Sequence, residues 1–169
     1  DDGSELEAFE ALVRHLGARG IPIVCYNFMA GTDWIRTTVD APERGGALVT
    51  GFRLTDVEKA RIPGRDPYGE EGLERGADRN GLWKALEGFL TEIVPVAEEA
   101  GVVLAMHPDD PPLPHLLGND RIMYDVDAFE RLVNLVPSPS NAIAFCQGTF
   151  SEMGIDIPAT IRRLGSHIA

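Results

Sequence analysis

The sequence predicts an α/β fold with parallel strands, and two observations support this prediction. Apolar segments at helical spacing alternate along the chain with short apolar runs that are typical of buried strands. Such alternation favours parallel strands joined by right-handed crossovers. Two of the strand-like runs end at potential ligand residues, His107 and Cys146, as expected where parallel sheets bind ligands. A doubly wound sheet and a (β/α) barrel both fit this pattern.

The amino-terminal half contains one helix, one strand and a long irregular segment. Residues 4–18 place leucine, phenylalanine and valine at helical spacing, and glycines follow near the end of this segment. Residues 21–26 form a short apolar strand. Residues 27–80 lack a regular pattern, so we expect this long connection to be functional or disordered.

The second half continues the alternation. Residues 81–100 predict a helix in which Pro95 should cause a kink or a broken turn. Residues 102–106 predict a buried strand, and the prolines within 108–112 end it because they lack the N–H that a strand ladder needs. The remaining predicted elements are a helix at 125–136, a strand at 142–146 and a helix at 158–164.

Composition narrows the class of protein. The chain has 169 residues, 44% of them hydrophobic, which is enough for one sizeable core. A formal net charge of −12 disfavours binding to nucleic acid, which is itself a polyanion. No apolar run is long enough for a membrane-spanning helix, so no membrane partner is expected. The two cysteines do not form a disulfide framework, which predicts a cytoplasmic protein with reduced thiols. No Gly-x-Gly-x-x-Gly motif follows a strand, which weakens a dinucleotide-binding interpretation.

Three segments of the chain resemble the mannonate dehydratase family. Met-His-Pro-Asp-Asp-Pro-Pro at 106–112 is similar to the signature of that family. Cys-Tyr-Asn-Phe-Met at 25–29, followed by Asp-Trp-Ile-Arg-Thr at 33–37, and Phe-Cys-Gln-Gly at 145–148 agree with it in the same order. The resemblance implies a TIM-type barrel akin to xylose isomerase. Because such a barrel has eight strands and about 250 residues, we interpret residues 1–169 as one partial barrel domain without its C-terminal strands.

The same resemblance implies that His107 and Cys146 are ligands of a divalent metal, usually Mn²⁺ or Fe²⁺. From the residues alone, His107 could instead bond to backbone at a strand end, and Cys146 could be buried and inert. Both residues follow strands of a parallel sheet, and an imidazole with a thiolate favours transition metals over Mg²⁺ or Ca²⁺. Two ligands hold a catalytic metal poorly, so the other ligands are predicted to lie outside this chain.

Substrate contacts are predicted near the first two strand ends. Arg36 could bind a substrate carboxylate through its fork of N–H donors, or it could belong to a solvated loop. Trp34 and Asn27 follow the first strand, Asp109 adjoins His107, and we predict that all three bind substrate. Cys25 is interpreted as a packing residue, with a third thiol near the site as the alternative. No residue of this chain can be assigned as the catalytic acid or base.

The resemblance implies an enzyme of hexuronate breakdown that converts D-mannonate into 2-keto-3-deoxy-D-gluconate by β-elimination of water. The expected partners are this small sugar acid and further copies of the chain in a homo-oligomer. Two alternatives stay open. A sugar isomerase or epimerase of the same barrel type would share the metal, whereas a non-catalytic sugar-acid binding module would not need one.

Overall fold

The computed structural model describes residues 3–30, 35–59 and 76–169. The helices are α1 (Ser4–Ala18), α2 (Arg79–Ala100), α3 (Val126–Leu135), α4 (Gln147–Glu152) and α5 (Ile157–Leu164). The strands are β1 (Ile23–Tyr26), β2 (Thr38–Pro42), β3 (Leu48–Gly51), β4 (Val103–Met106), β5 (His115–Leu116), β6 (Asn119–Asp120) and β7 (Asn141–Ile143). Among the helices of these ranges, none combines the length and apolarity needed to cross a bilayer.

Three strands form a parallel sheet in the order β1, β4, β7. Cys25 of β1 pairs with Ala105 of β4, which in turn pairs with Ala142 of β7. Helix α2 connects β1 to β4, and α3 connects β4 to β7. Ile168 forms an isolated parallel bridge with Ile143, so the chain at Ile168 runs in the same direction as β7. The predicted α/β class with parallel strands is confirmed.

The hydrophobic core lies between the helices and one face of this sheet. Leu104, Met106 and Ile143 are fully buried in one cluster with apolar residues of α2 and α3. Successive strand residues point to opposite faces, and on the other face of β1 the side chains of Ile23 and Cys25 are exposed. One face covered by helices and one face left partly open is the arrangement of a barrel segment, in which the helices form the outer ring.

Helices α1 and α2 approach each other closely at Gly17. A Cβ atom at this position would lie 2.2 Å from the carbonyl oxygen of Ala100, the last residue of α2. Only glycine permits this contact without movement of the backbone. Helix α2 then ends at Gly101, which adopts a left-handed conformation (φ 67°). Glycine commonly ends helices in this conformation. Of the two effects predicted at Pro95, the broken turn is wrong, because α2 continues through this residue. The kink stays a prediction.

Two further regions differ from the sequence prediction. The long segment after β1 contains an antiparallel hairpin of β2 and β3 and short 3-10 turns at Arg44–Gly46 and Leu54–Lys59. Strand β7 ends at Ile143, three residues before Cys146, because the chain turns there and the Cys146 N–H donates to the Ala144 carbonyl at 2.8 Å. Cys146 is consequently the N-cap residue of α4, a helix that the sequence did not predict.

Candidate functional site

The carboxyl ends of β1, β4 and β7 lie side by side. The backbone N–H of His107 donates to the Tyr26 carbonyl at 2.7 Å, and that of Ala144 donates to the Met106 carbonyl at 2.9 Å. The loops after the three strands therefore leave the sheet at one edge. His107 and Cys146 follow adjacent parallel strands, as the sequence predicts.

The half-buried His107 ring has a defined tautomer. Its Nδ1 lies 2.7 Å from the carbonyl oxygen of Pro108. Because a carbonyl oxygen only accepts hydrogen bonds, Nδ1 must carry the proton, and in the neutral ring Nε2 then keeps its lone pair. A histidine that binds a metal through one nitrogen commonly donates the other N–H to a backbone carbonyl in this way.

Cys146 is partly buried and lies outside the strand itself. Its sulfur accepts a hydrogen bond from the Thr149 hydroxyl at 3.3 Å, and its carbonyl accepts one from the Phe150 N–H at 3.0 Å. Burial, followed by the charge of Cys146, raises the pKa of the Cys25 thiol. Cys25 lies in β1 and is exposed in the described part of the chain. Its two interpretations, a packing residue and a third thiol near the site, stay predictions.

The donor set fits part of a metal site. Imidazole and thiolate suit a transition metal, and the tautomer of His107 leaves the appropriate nitrogen available. Across residues 3–30, 35–59 and 76–169, no group of three or more His, Cys, Asp or Glu residues is placed to hold an ion. His107 and Cys146 would therefore need ligands from beyond the described residues.

Asp109 is fully buried and bonded within the protein. Its N–H donates to the Met123 carbonyl at 2.9 Å, and its Oδ2 accepts the Met123 N–H at 2.9 Å. Arg121 Nε lies 3.7 Å from the same oxygen. Burial raises the pKa of Asp109, although Arg121 and the backbone donors oppose this shift. The side chain has no exposed surface and its bonds lie within the protein. A contact of Asp109 with substrate stays a prediction.

Arg36 forms an ion pair with a carboxylate of the protein itself. Its Nη1 and Nη2 donate to Oδ1 and Oδ2 of Asp110 at 3.4 Å and 3.1 Å, and Nη1 also donates to the Ile35 carbonyl at 2.8 Å. The pair borders a cavity of about 200 Å³ whose wall includes Glu152. Burial, followed by the charge of Asp110, raises the pKa of Glu152. Arg36 is thus not part of a solvated loop, and its contact with a substrate carboxylate stays a prediction.

Asn27 and Trp34 are the two remaining residues that were predicted to bind substrate. Asn27 is exposed and is the first residue after β1, at the same edge as His107. Trp34 lies outside the described residues. The sequence interpretation missed the buried Arg121, since a charged residue in an irregular stretch normally predicts exposure. It also missed the ion pair of Arg36 with Asp110.

Comparison with known proteins identifies the family. Residues 1–169 match the family described as D-mannonate dehydratase (UxuA). The mannonate dehydratase of Streptococcus suis (strain 05ZYH33) is 36% identical over 162 residues, which cover 87% of this chain and 44% of that protein. Mannonate dehydratase 1 of Halalkalibacterium halodurans is 30% identical over 185 residues, covering 96% and 51%.

A solved structure agrees with the sequence comparison. The crystal structure of mannonate dehydratase from Streptococcus suis serotype 2 superposes with a TM-score of 0.84 at 34% identity. The match covers 99% of this chain and 49% of that chain, so the present chain spans about half the length of its relatives. The fold is part of the α/β barrel that the sequence predicts. The chain belongs to the mannonate dehydratase family.

Proposed function

We propose that the full-length protein is a metal-dependent mannonate dehydratase and that this chain provides two of the metal ligands, His107 Nε2 and the Cys146 thiolate. The observation that carries the proposal is the hydrogen bond from His107 Nδ1 to Pro108, which leaves the lone pair on Nε2. Cys146 follows the neighbouring parallel strand, which supports the pairing of the two ligands. The family match and the solved relative support the activity. Because this chain spans about half of its relatives, the other ligands and the acid and base are assigned to the rest of the protein.

The proposed reaction removes water from D-mannonate to give 2-keto-3-deoxy-D-gluconate. The proton on C2 is weakly acidic, so negative charge that develops beside the carboxylate needs stabilisation. A bound divalent metal, Mn²⁺ or Fe²⁺ in this proposal, would supply that stabilisation. The residues of this chain would bind and orient the sugar acid, with Asn27, directly after β1, and Trp34 as the proposed contacts.

Arg36 is the proposed partner of the substrate carboxylate. A guanidinium fork recognises a carboxylate with two parallel N–H bonds, and here it already holds Asp110 in that manner. The pair is largely buried, with 13% of the Arg36 side chain and 22% of the Asp110 side chain exposed. A substrate carboxylate would bind beside Asp110 or take its place, and Asp110 would keep the guanidinium oriented until then.

The experiment compares metal content and turnover in the full-length protein. After chelation, D-mannonate dehydration should stop, and Mn²⁺ or Fe²⁺ should restore it. His107→Ala should lose bound metal and turnover, whereas His15→Ala, which removes an exposed histidine of α1, should change neither. Full turnover by the chelated wild type or by His107→Ala would refute the proposal.

The same samples distinguish the proposed dehydratase from the two alternative functions. An isomerase or epimerase would interconvert ketoses and leave D-mannonate unchanged. A non-catalytic module would bind D-mannonate without product and without stoichiometric metal. Either result would retain the family assignment as a statement of common fold and reject the proposed activity.

A further inference from the structure

Arg121 is the bulkiest of the fully buried side chains. Only 1% of its side chain is exposed, although it carries a full positive charge. Removing a charged side chain from water is strongly unfavourable unless other groups compensate for the lost solvation. A buried arginine at this edge of the sheet therefore requires partners, and two of its partners, Asp109 and Met29, belong to the loops that carry the candidate site.

Arg121 connects two of the carboxyl-end loops. Its Nε lies 3.7 Å from Oδ2 of Asp109, in the loop after β4. Its Nη2 contacts the sulfur of Met29, in the loop after β1. The backbone N–H of Arg121 donates to the Pro114 carbonyl at 3.1 Å, which fixes the segment that carries the guanidinium.

The short segment from His107 to Asp109 is fixed at both ends. At its start, the His107 N–H donates to the Tyr26 carbonyl at 2.7 Å. At its end, Asp109 exchanges two bonds with Met123, one through its backbone and one through its carboxylate, both at 2.9 Å. The intervening Pro108 provides the carbonyl that holds His107 Nδ1. Any rotation of the segment at Asp109 would therefore move the acceptor that orients the imidazole.

We propose that Arg121 is a positioning residue for His107: through Asp109 and Met29 it holds the loops after β4 and β1 in one arrangement, which fixes the Pro108 carbonyl and with it the direction of Nε2. Arg121 itself touches neither substrate nor metal. The effect on metal binding rests on the proposed function, whereas the coupling of the two loops does not.

The test uses Arg121→Met in the full-length protein, because methionine fills most of the volume without charge or donors. Hydrogen exchange measured by mass spectrometry should increase in peptides that cover both 27–30 and 107–112. The affinity for Co²⁺, used as the probe metal, should fall by about 10- to 100-fold, the usual effect of losing a group that orients a ligand. Asp109→Asn should produce the same pattern, and the double variant should be little worse than either single variant.

Asn141→Ala is the matched control. Asn141 is also a buried polar residue, but it lies at the amino end of β7, where its side chain donates to the Leu132 and Val136 carbonyls. This variant should lower the melting temperature and leave Co²⁺ affinity and exchange of residues 107–112 unchanged. If Arg121→Met lowered the melting temperature in the same way, without faster exchange in both loops, Arg121 would be a structural residue only and the inference would be overturned.

The two readouts separate the inference from the proposed function. If the wild type binds no Co²⁺, the proposed metal site fails, and the exchange data alone decide whether Arg121 couples the loops. If exchange rises in both loops but Co²⁺ affinity is unchanged, the coupling exists and the positioning of His107 is refuted. Faster exchange together with weaker Co²⁺ binding supports the whole inference.

Discussion

Substitution of Gly17 by alanine tests the close contact between α1 and α2. The added Cβ would lie 2.2 Å from the Ala100 carbonyl oxygen and 3.0 Å from the Ala100 Cβ. Because the nearest atom belongs to the backbone, the helices must separate, and overpacking of this kind typically costs about 1–3 kcal/mol. Alanine gains up to about 1 kcal/mol in helix propensity over glycine. With the full propensity gain subtracted, the net expectation is that Gly17→Ala lowers the free energy of unfolding by up to about 2 kcal/mol.

Gly88 provides the matched control in the same pair of helices. It is an exposed residue within α2, and a Cβ there would meet nothing within 4 Å. Gly88→Ala should therefore raise the free energy of unfolding by about 0.5–1 kcal/mol through propensity alone. The assay is urea unfolding of both variants and the wild type, followed by circular dichroism. Stabilisation of similar size in both variants would refute the contact at Gly17.

Three further substitutions or modifications follow from the structure. Arg36→Ala should raise the KM for D-mannonate by about 10- to 100-fold, since charge-assisted hydrogen bonds to the substrate are lost. Arg36→Lys should restore the KM poorly, because a point charge cannot reproduce the guanidinium fork. Unchanged steady-state kinetics would reject this role of Arg36. Asp125→Ala should cost about 1 kcal/mol of stability, because the Asp125 carboxylate caps α3 by accepting the Ala128 N–H at 2.8 Å; an unchanged denaturation midpoint would contradict that cap. Iodoacetamide at pH 8 should modify Cys25 more slowly in the folded protein than in the unfolded chain, because the raised pKa leaves less of the reactive thiolate. The modification rates are measured by peptide mass spectrometry, and equal rates would contradict the raised pKa of Cys25.

The parallel fold could be predicted because its signals are local and periodic. The apolar spacing of α2 and α3 and the apolar runs of β1 and β4 each depend on neighbours within one element. The hairpin of β2 and β3 was not predicted, since its strands expose several apolar residues and do not alternate cleanly. Strand β7 was predicted too long because the apolar run continues to Cys146 while the backbone turns after Ile143.

The candidate site could be predicted only in part. The strand-end positions of His107 and Cys146 follow from sequence alone, because parallel strands bring their carboxyl ends to one edge. The partners of these residues depend on contacts between segments far apart in the chain, such as Arg36 with Asp110 and Arg121 with Asp109. No pattern within a single segment specifies those pairs. The burial of Arg121 and the pairing of the Arg36 guanidinium with Asp110 were therefore found only in the structure.

The most direct test of the central claim is the near-ultraviolet absorption of the Co²⁺-substituted full-length protein. A thiolate bound to cobalt produces a charge-transfer band, which reports the sulfur ligand itself rather than activity. We expect this band in the wild type and in Cys25→Ser, its disappearance in Cys146→Ser, and weakened Co²⁺ binding in His107→Ala. A band that persists with undiminished intensity in Cys146→Ser would contradict the assignment of Cys146 as a metal ligand.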